Sequence, residues 1–477
     1  MAEPFPSLIV RADGFAAQGA FAQAQAEFLD PDREVVARLS ALLRSRNAGV
    51  VAHFYMDPEL QGVLYASDWP HIFVSDSLVM ADRGVAMAQA GAAQIVVLGV
   101  DFMSENVRAM LDAAGLEQVG CYRVARDPIG CSLAESAESR AYAAWLERAA
   151  ATPNSLHVVY INTSLRTKAQ AQHRVPTITC TSSNVVKTVL QTFAQVPEAH
   201  VWFGPDTYMG QNLHALFESL LELDDAAIRA LHPAHDRATI QALLPRFHWF
   251  EQGNCVVHHM FGAAVVARLE HDYADIDVTA HLEVPGEMFR LALKAQKRGR
   301  GVVGSTADIL RHVLARVDQA VARGAHERLR FVLGTEAGMV TAIVRGLRER
   351  LARDPLIEVE IVFPVASEAI ATTGDRALPI IPGVAGGEGC TTLGGCATCP
   401  YMKMNSLDAL FDLLEQLPEA GQAWDPSTLA AFEPEKYAEM IAGKTVAELG
   451  SEPILHMRGF QATGQLPAAL VADMHSR

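Results

Sequence analysis

The sequence predicts an α/β protein made of three homologous parallel-sheet αβα domains around a pseudo-threefold axis. Three sets of matching segments carry that prediction. "IVVLGVDFMSENV" from Ile95, "VWFGPDTYMGQNL" from Val201 and "FVLGTEAGMVTAI" from Phe331 each run from a β-rich stretch through glycine and a polar turn into helical periodicity. Upstream of each lies a strand ending in a hydroxyl at a helix start: "IFVSDSLVMA" with Ser77, "TITCTSSNVV" with Ser182, and "GVVGSTADIL" with Ser305 and Thr306. Further upstream come "VVAHFYMD" with His53, "VVYINTS" with Tyr160 and "DVTAHLEV" with His281. Self-similarity at a long period marks one supersecondary unit used repeatedly. Strands alternating with helices give parallel sheets whose strand C-termini share one edge, where ligands bind.

The spacings agree. His53 precedes Ser77 by 24 residues, Tyr160 precedes Ser182 by 22, and His281 precedes Ser305 by 24. From hydroxyl to glycine the interval is 22 residues for Gly99, 22 for Gly204 and 29 for Gly334, so the third unit is longer. In chain order, the expected segments are an extension over 1–45, repeats over 46–145, 146–265 and 266–405, and a helical C-terminal segment over 406–477. The length of 477 residues matches this count at roughly 150 residues per domain.

Composition narrows the function. No apolar run approaches the 18 or so residues of a membrane span. A net charge of −16 disfavours nucleic acid and anionic membrane surfaces as partners. The first residues, "MAEPFPSLIVRADG", lack the basic start and apolar centre of a secretory signal, and the expectation is a cytoplasmic protein. Seven cysteines are too sparse for a disulfide framework and point instead to metal or chemistry.

Each repeat closes with a cysteine: Cys131 in "PIGCSLAES", Cys255 in "EQGNCVVHHMF", and one of Cys390, Cys396 and Cys399 in "GEGCTTLGGCATCPYMKMN". Three thiolates brought to a shared centre suit a cubane iron–sulfur cluster better than zinc, which wants four protein ligands in a structural site. Such a cluster keeps one iron open as a Lewis acid for loss of water. Cys121 and Cys180 lie in or beside apolar strands and are most simply buried small hydrophobes. The glycine run before Cys399 is a loop delivering cysteines.

The strand tips carry the remaining chemistry. A Ser or Thr ahead of a helix is, taken singly, an N-cap. Three in register at one edge would bring helix N-termini together as an anion site, favouring phosphate or carboxylate substrates. His53, Tyr55, Tyr160, Asn162, His281 and Glu283 mix imidazole, phenol, amide and carboxylate at the first strand of each repeat, as proton transfer on a keto or imino compound requires. Glu283, two residues after His281, is expected on the same strand face.

These motifs together resemble the quinolinate synthase family. The resemblance covers roughly residues 48–415 and rests on "AHFYMDPELQ", "SDSL", "GVDFMSENV", "CSLAES", "YINTS", "CTSSN", "GPDTYMGQN", "GNCVVH", "HLE", "GST", "GTEAGM" and "CPYMKMN" in family order. It implies a triangular three-domain enzyme of de novo NAD biosynthesis, with one 4Fe-4S cluster held by Cys131, Cys255 and Cys399. It implies condensation of iminoaspartate with dihydroxyacetone phosphate, with loss of phosphate and two waters. The iminoaspartate would come from an L-aspartate oxidase or dehydrogenase. The same resemblance assigns His53 and Tyr55 to the triose, and Ser77, Ser182, His281, Ser305 and Thr306 to phosphate or carboxylate groups. Tyr160 and Asn162 go to the amino-acid half, and Glu283 to acid–base work near the iron. Cys390 and Cys396 are not ligands under it, although a Cys396–Cys399 disulfide would remove the cluster. "SDSL" and "HLEV" depart from the family's Gly-Asp-Ser-Leu and His-Pro-Glu-Cys. Two alternatives stay open on the residues alone: an iron–sulfur hydro-lyase acting on a hydroxy acid, and a non-catalytic zinc scaffold.

Overall fold

A computed structural model describes residues 4–324, 326–353, 356–364, 380–381, 390–391, 398–422 and 425–477. Cys396 lies outside them, as does the side chain of Cys390. The chain divides into two compact units, one of Met1–Val100, Gln118–Ile129 and Val256–Glu433, the other of Asp101–Glu117, Gly130–Cys255 and Pro434–Arg477.

The first unit opens with β1 (Ser7–Arg11) and β2 (Gly14–Gln18), followed by β3 (Ala48–His53), β4 (Ile72–Ser75), β5 (Gln94–Leu98) and β6 (Gly120–Arg123). The last four form a parallel sheet in the order β4-β3-β5-β6. The second unit holds β7 (Ser155–Tyr160), β8 (Thr177–Cys180), β9 (His200–Gly204) and β10 (Phe247–Trp249), parallel in the order β10-β9-β7-β8. The first unit also contains β11 (Asp277–His281), β12 (Gly301–Gly304), β13 (Arg328–Gly334) and β14 (Glu358–Val362), parallel in the order β12-β11-β13-β14. All three sheets therefore share one strand order, second–first–third–fourth. The N-terminal stretch extends the third sheet, because β1 pairs antiparallel with β14 and β2 with β1.

Local sequence explains the elements. β3, β5 and β7 are buried at every position, as strands covered on both faces must be, and they read as apolar runs rather than alternations. The helix Thr306–Arg323 starts at a capping box between Ser305 and Asp308 and ends at Gly324 in the left-handed region, φ 61°. It buries Ile309, Val313, Val317 and Ala320 in one core with Phe331, Val340 and Ile361, the spacing of a single helix face. In the second unit the C-terminal helix Val446–Thr463 packs on the helix Leu165–Arg174, where Gly450 permits the approach: a Cβ there would lie 2.3 Å from the Leu165 carbonyl oxygen.

Register confirms the repeat. His53 pairs with Ser75, Tyr160 with Cys180 and His281 with Gly304. The next backbone N–H in each of the three sheets donates to that partner: Phe54 to Ser75 at 2.9 Å, Ile161 to Cys180 at 2.9 Å and Leu282 to Gly304 at 3.2 Å. Counting two residues on makes Ser77, Ser182 and Thr306 equivalent, with Ser305 one place earlier. On the third strands Leu98, Gly204 and Gly334 stand opposite Ala52, Val159 and Ala280, so Leu98 rather than Gly99 takes the equivalent place.

Candidate active site

In the first unit two histidines end corresponding strands and are held alike. The Tyr55 N–H donates to His53 Nδ1 at 3.2 Å, and the Glu283 N–H donates to His281 Nδ1 at 3.4 Å. The strand ends at His281, so Glu283 reaches its neighbour through a turn rather than along a strand face. A bond from the Val284 N–H to the His281 carbonyl closes that turn, and Pro285 opens the helix Gly286–Lys297. Burial holds His53 down to about 3, against Glu283 and with help from His281. Burial likewise holds His281 down to about 4, against Glu283 and with help from His258. Both rings are neutral at pH 7, and since Nδ1 accepts a backbone N–H, the hydrogen-bond network assigns the proton to Nε2. Glu283 Oε1 stands 3.7 Å from His281 Nδ1, beyond hydrogen-bond reach.

A chain of polar groups, half-buried at Tyr55 and buried from Thr335 onward, joins the two strand tips. The Tyr55 hydroxyl lies 3.2 Å from Thr335 Oγ1, Thr335 Oγ1 lies 3.2 Å from His258 Nε2, and His258 Nδ1 lies 3.0 Å from Glu283 Oε2. Thr335 is 1% exposed, His258 0% and Glu283 4%, so beyond the half-buried Tyr55 this chain runs out of water. An ionised Glu283 accepts from Nδ1–H, which leaves His258 Nε2 to accept from the Thr335 hydroxyl, whose lone pair accepts from Tyr55. Every link has one donor and one acceptor. His258 also stacks on His281, 4.8 Å between centroids at 21°.

Supports surround this chain. Gln61 Nε2 lies within 3.0 Å of the Phe54, Met56 and Gly338 carbonyls, tying the Tyr55 turn to Gly338. Glu336, 1% exposed, accepts the Gly338 N–H at 2.7 Å and the Cys399 N–H at 3.2 Å. Burial pushes its carboxyl up to about 8 against those two bonds. Asn405, fully buried, accepts the Gly99 N–H at 3.0 Å and donates to the Gly99 carbonyl at 3.1 Å, fastening the segment after Cys399 to the end of β5.

Ser77 and Thr306 are buried first residues of their helices, but neither is the cap. Asp76 caps the helix Ser77–Gln89, accepting the Leu78 and Val79 N–H groups. Ser305 caps its own helix, and its hydroxyl donates to Asp308 Oδ2 at 2.7 Å. Burial raises the Asp76 carboxyl against those N–H bonds, with Asp308 close enough to add to the shift, so these two helix starts are neighbours.

In the second unit Tyr160 ends β7 and is buried, and half-buried Asn162 follows in a tight loop. Ser182 is half-buried between Thr181 and Asn184, where the Asn184 side chain accepts the Thr181 N–H. Cys131 stands at the N-cap of the helix Ser132–Ala137 without capping through its side chain. The Ser132 hydroxyl donates to the Asn254 carbonyl at 3.1 Å, so the loops bearing Cys131 and Cys255 run side by side. Cys131, Cys255 and Cys399 are half-buried on loops, whereas Cys121 and Cys180 are buried in strands.

The structure thus groups His53, Tyr55, His281 and Glu283 in one unit, while Tyr160, Asn162 and Ser182 belong to the other. His258, Thr335, Glu336 and Asn405 have parts that sequence reasoning missed, although each lies inside a quoted motif: "CVVHH", "GTEAGM" for two of them, and "CPYMKMN".

A family model described as "Quinolinate synthetase A protein" matches residues 37–429. "Quinolinate synthase, chloroplastic" of Arabidopsis thaliana is 54% identical over 99% of this chain and 67% of its own length, and that of Nicotiana tabacum is 53% identical over 98% and 66%. The chain therefore spans about two thirds of these plant relatives. A "Quinolinate synthase" of the cyanobacterium Nostoc is 27% identical over 84% of the chain and 91% of its own length. These names overturn the cytoplasmic expectation, because relatives 52–54% identical are chloroplastic proteins. A fold and its active site carry no compartment address. Among the described residues, no helix is long and apolar enough to cross a membrane.

Proposed function

The chain belongs to the quinolinate synthase family, and on that premise we propose how its residues divide the synthesis of quinolinate for NAD. The substrates we assign are iminoaspartate, from an L-aspartate oxidase or dehydrogenase, and dihydroxyacetone phosphate. They join with loss of phosphate and two waters. The observation that carries the residue roles is the chain Tyr55–Thr335–His258–Glu283, enclosed from Thr335 onward. Condensation and dehydration both require a proton to leave one carbon or nitrogen and reach a departing oxygen. A relay with a phenol at one end and a carboxylate at the other lets the two exchange a proton without water.

The neutral rings of His53 and His281 offer Nε2–H donors to carbonyl, carboxylate or phosphate oxygens. Ser77 and Thr306 contribute hydroxyls at helix starts, where the positive end of the helix dipole favours an anion. Ser305 serves the same end through the helix it caps. In the second unit, Tyr160 and Asn162 position the amino-acid half, and Ser182 stands at the place equivalent to Ser77. Cys131, Cys255 and Cys399 are assigned to a 4Fe-4S cluster. Half-buried loop thiols, two of them on tethered loops, fit that role better than the strand-buried Cys121 and Cys180. When bound, the cluster supplies a Lewis acid for loss of water.

The test is anaerobic purification, iron and sulfide analysis, and assay with both substrates. Equal amounts of quinolinate and phosphate are expected. A protein with intact cluster that released phosphate without quinolinate, or that held zinc and no iron, would sink the assignment.

A further inference from the structure

A lysine that the reaction does not call on is fully buried next to Asn162. Lys168 is 0% exposed and lies in the first turns of the helix Leu165–Arg174. An ammonium is disfavoured there twice over, by removal from water and by the positive end of the helix dipole. Its donors explain its retention. Nζ donates to the Ile161 carbonyl at 3.2 Å and, more closely still, to the Thr163 carbonyl, the two groups that flank Asn162 in sequence.

The rest of the loop is fastened in the same way. The Thr163 N–H donates to the Ile161 carbonyl at 2.7 Å, and the Thr163 hydroxyl donates to the Tyr160 carbonyl at 3.1 Å. Ser164 caps the helix and donates to Glu138 at 2.7 Å. Beneath the helix start, the Glu105 carboxylate, 4% exposed, accepts the Leu165 N–H at 2.8 Å and the Tyr437 hydroxyl at 3.0 Å. Burial drives Lys168 down and Glu105 up, and the attraction between the two opposes both shifts.

We propose that Lys168 is a positioning residue for the amino-acid half of the substrate: by holding the carbonyls on both sides of Asn162, it sets the direction of the Asn162 side chain. This rests on the assignment of Asn162 to iminoaspartate. A helix of this length forms without such a group, so a purely structural lysine would affect stability and leave the substrates alone.

Lys168→Met keeps the length and removes the donors. The assay uses iminoaspartate generated in situ from oxaloacetate and ammonia, with KM measured separately for the two substrates and iron measured per chain. The expected result is a rise in KM for the amino-acid half by about tenfold or more, the scale of one charge-assisted hydrogen bond. KM for dihydroxyacetone phosphate and iron content should hold. Asn162→Ala should show the same split, and the double variant should be no worse than Asn162→Ala. Should Lys168→Met fail to fold, Thr163→Val loosens the same loop without touching the lysine, and a severalfold rise in the same KM is expected. Folded variants with both KM values unchanged overturn the proposal. A silent Asn162→Ala beside an affected Lys168→Met removes Asn162 instead, and with it the stated target of the positioning.

Discussion

His258 Nδ1 stands 3.0 Å from Glu283 Oε2, with the two side chains 0% and 5% exposed. An imidazole and a carboxylate this close and this dry act as one proton-holding unit. Glu283→Gln and His258→Gln should each lower turnover by a factor on the order of a hundred, the scale of lost acid–base catalysis, at unchanged iron content. The double variant should be no slower than either single one, because members of one relay are not additive. Additive losses would show that the two act separately.

Thr335 gives the sharper test of the relay. Thr335→Val keeps the shape and removes the hydroxyl between Tyr55 and His258, and turnover should fall about tenfold or more. Thr335→Ser keeps the hydroxyl and should restore most of it. If the Val variant is as fast as the Ser variant, the proton does not pass this way.

Gly338 tolerates no side chain. A Cβ would lie 2.7 Å from the Phe54 carbonyl oxygen and 3.0 Å from Tyr55 Cα, both backbone atoms. Gly338→Ala must therefore push the Tyr55 turn aside, at a cost of about 1–3 kcal/mol in stability for an overpacked site. A thermal melt reads the first effect, and a larger fractional loss of turnover than of folded protein reads the displacement of Tyr55.

Stability should fall in acid. Burial holds His53 and His157 down to about 3 and His281 to about 4, against 6.5 in the unfolded chain. Below about 6.5 the unfolded chain binds protons that the folded chain refuses, so stability declines as pH falls toward about 3 and is unaffected by these groups above 6.5. The ceiling is roughly 1.4 kcal/mol per pH unit for each histidine. Glu336, raised to about 8 from 4.5, acts in the opposite sense, losing stability as pH rises through that window. Three histidines outweigh one carboxyl below about pH 6, so urea midpoints from about pH 4 to 6 should rise with pH, and His157→Gln, remote from the proposed chemistry, should flatten the slope.

Cys131→Ala, Cys255→Ala and Cys399→Ala should each lose iron, while Cys121→Ala and Cys180→Ala should keep it at a cost of about 1 kcal/mol in stability for a lost buried thiol. Iron and sulfide per chain decide it. Iron retained by the Cys399 variant would break the ligand assignment.

The repeats, the strand ends and the residues standing there were legible in the sequence. Strand and helix periodicity are local properties, and three copies of one pattern cross-check each other, so His53, Tyr160 and His281 fall at matching tips. The extension of the third sheet by β1 and β2 was not legible, since nothing in "SLIVR" says that its partner is "EVEIV".

The proton chain belongs to the tertiary structure alone. Tyr55 and Thr335 are 280 positions apart, and His258 and Thr335 are 77 apart. A hydrogen bond depends on distances of tenths of an ångström between atoms that only the packed fold brings together. In the chain, His258 looks like its neighbour His259, and Lys168 looks like any helix lysine. Burial separates them: His258 and Lys168 are fully enclosed, and an enclosed polar group must find its partners inside the protein.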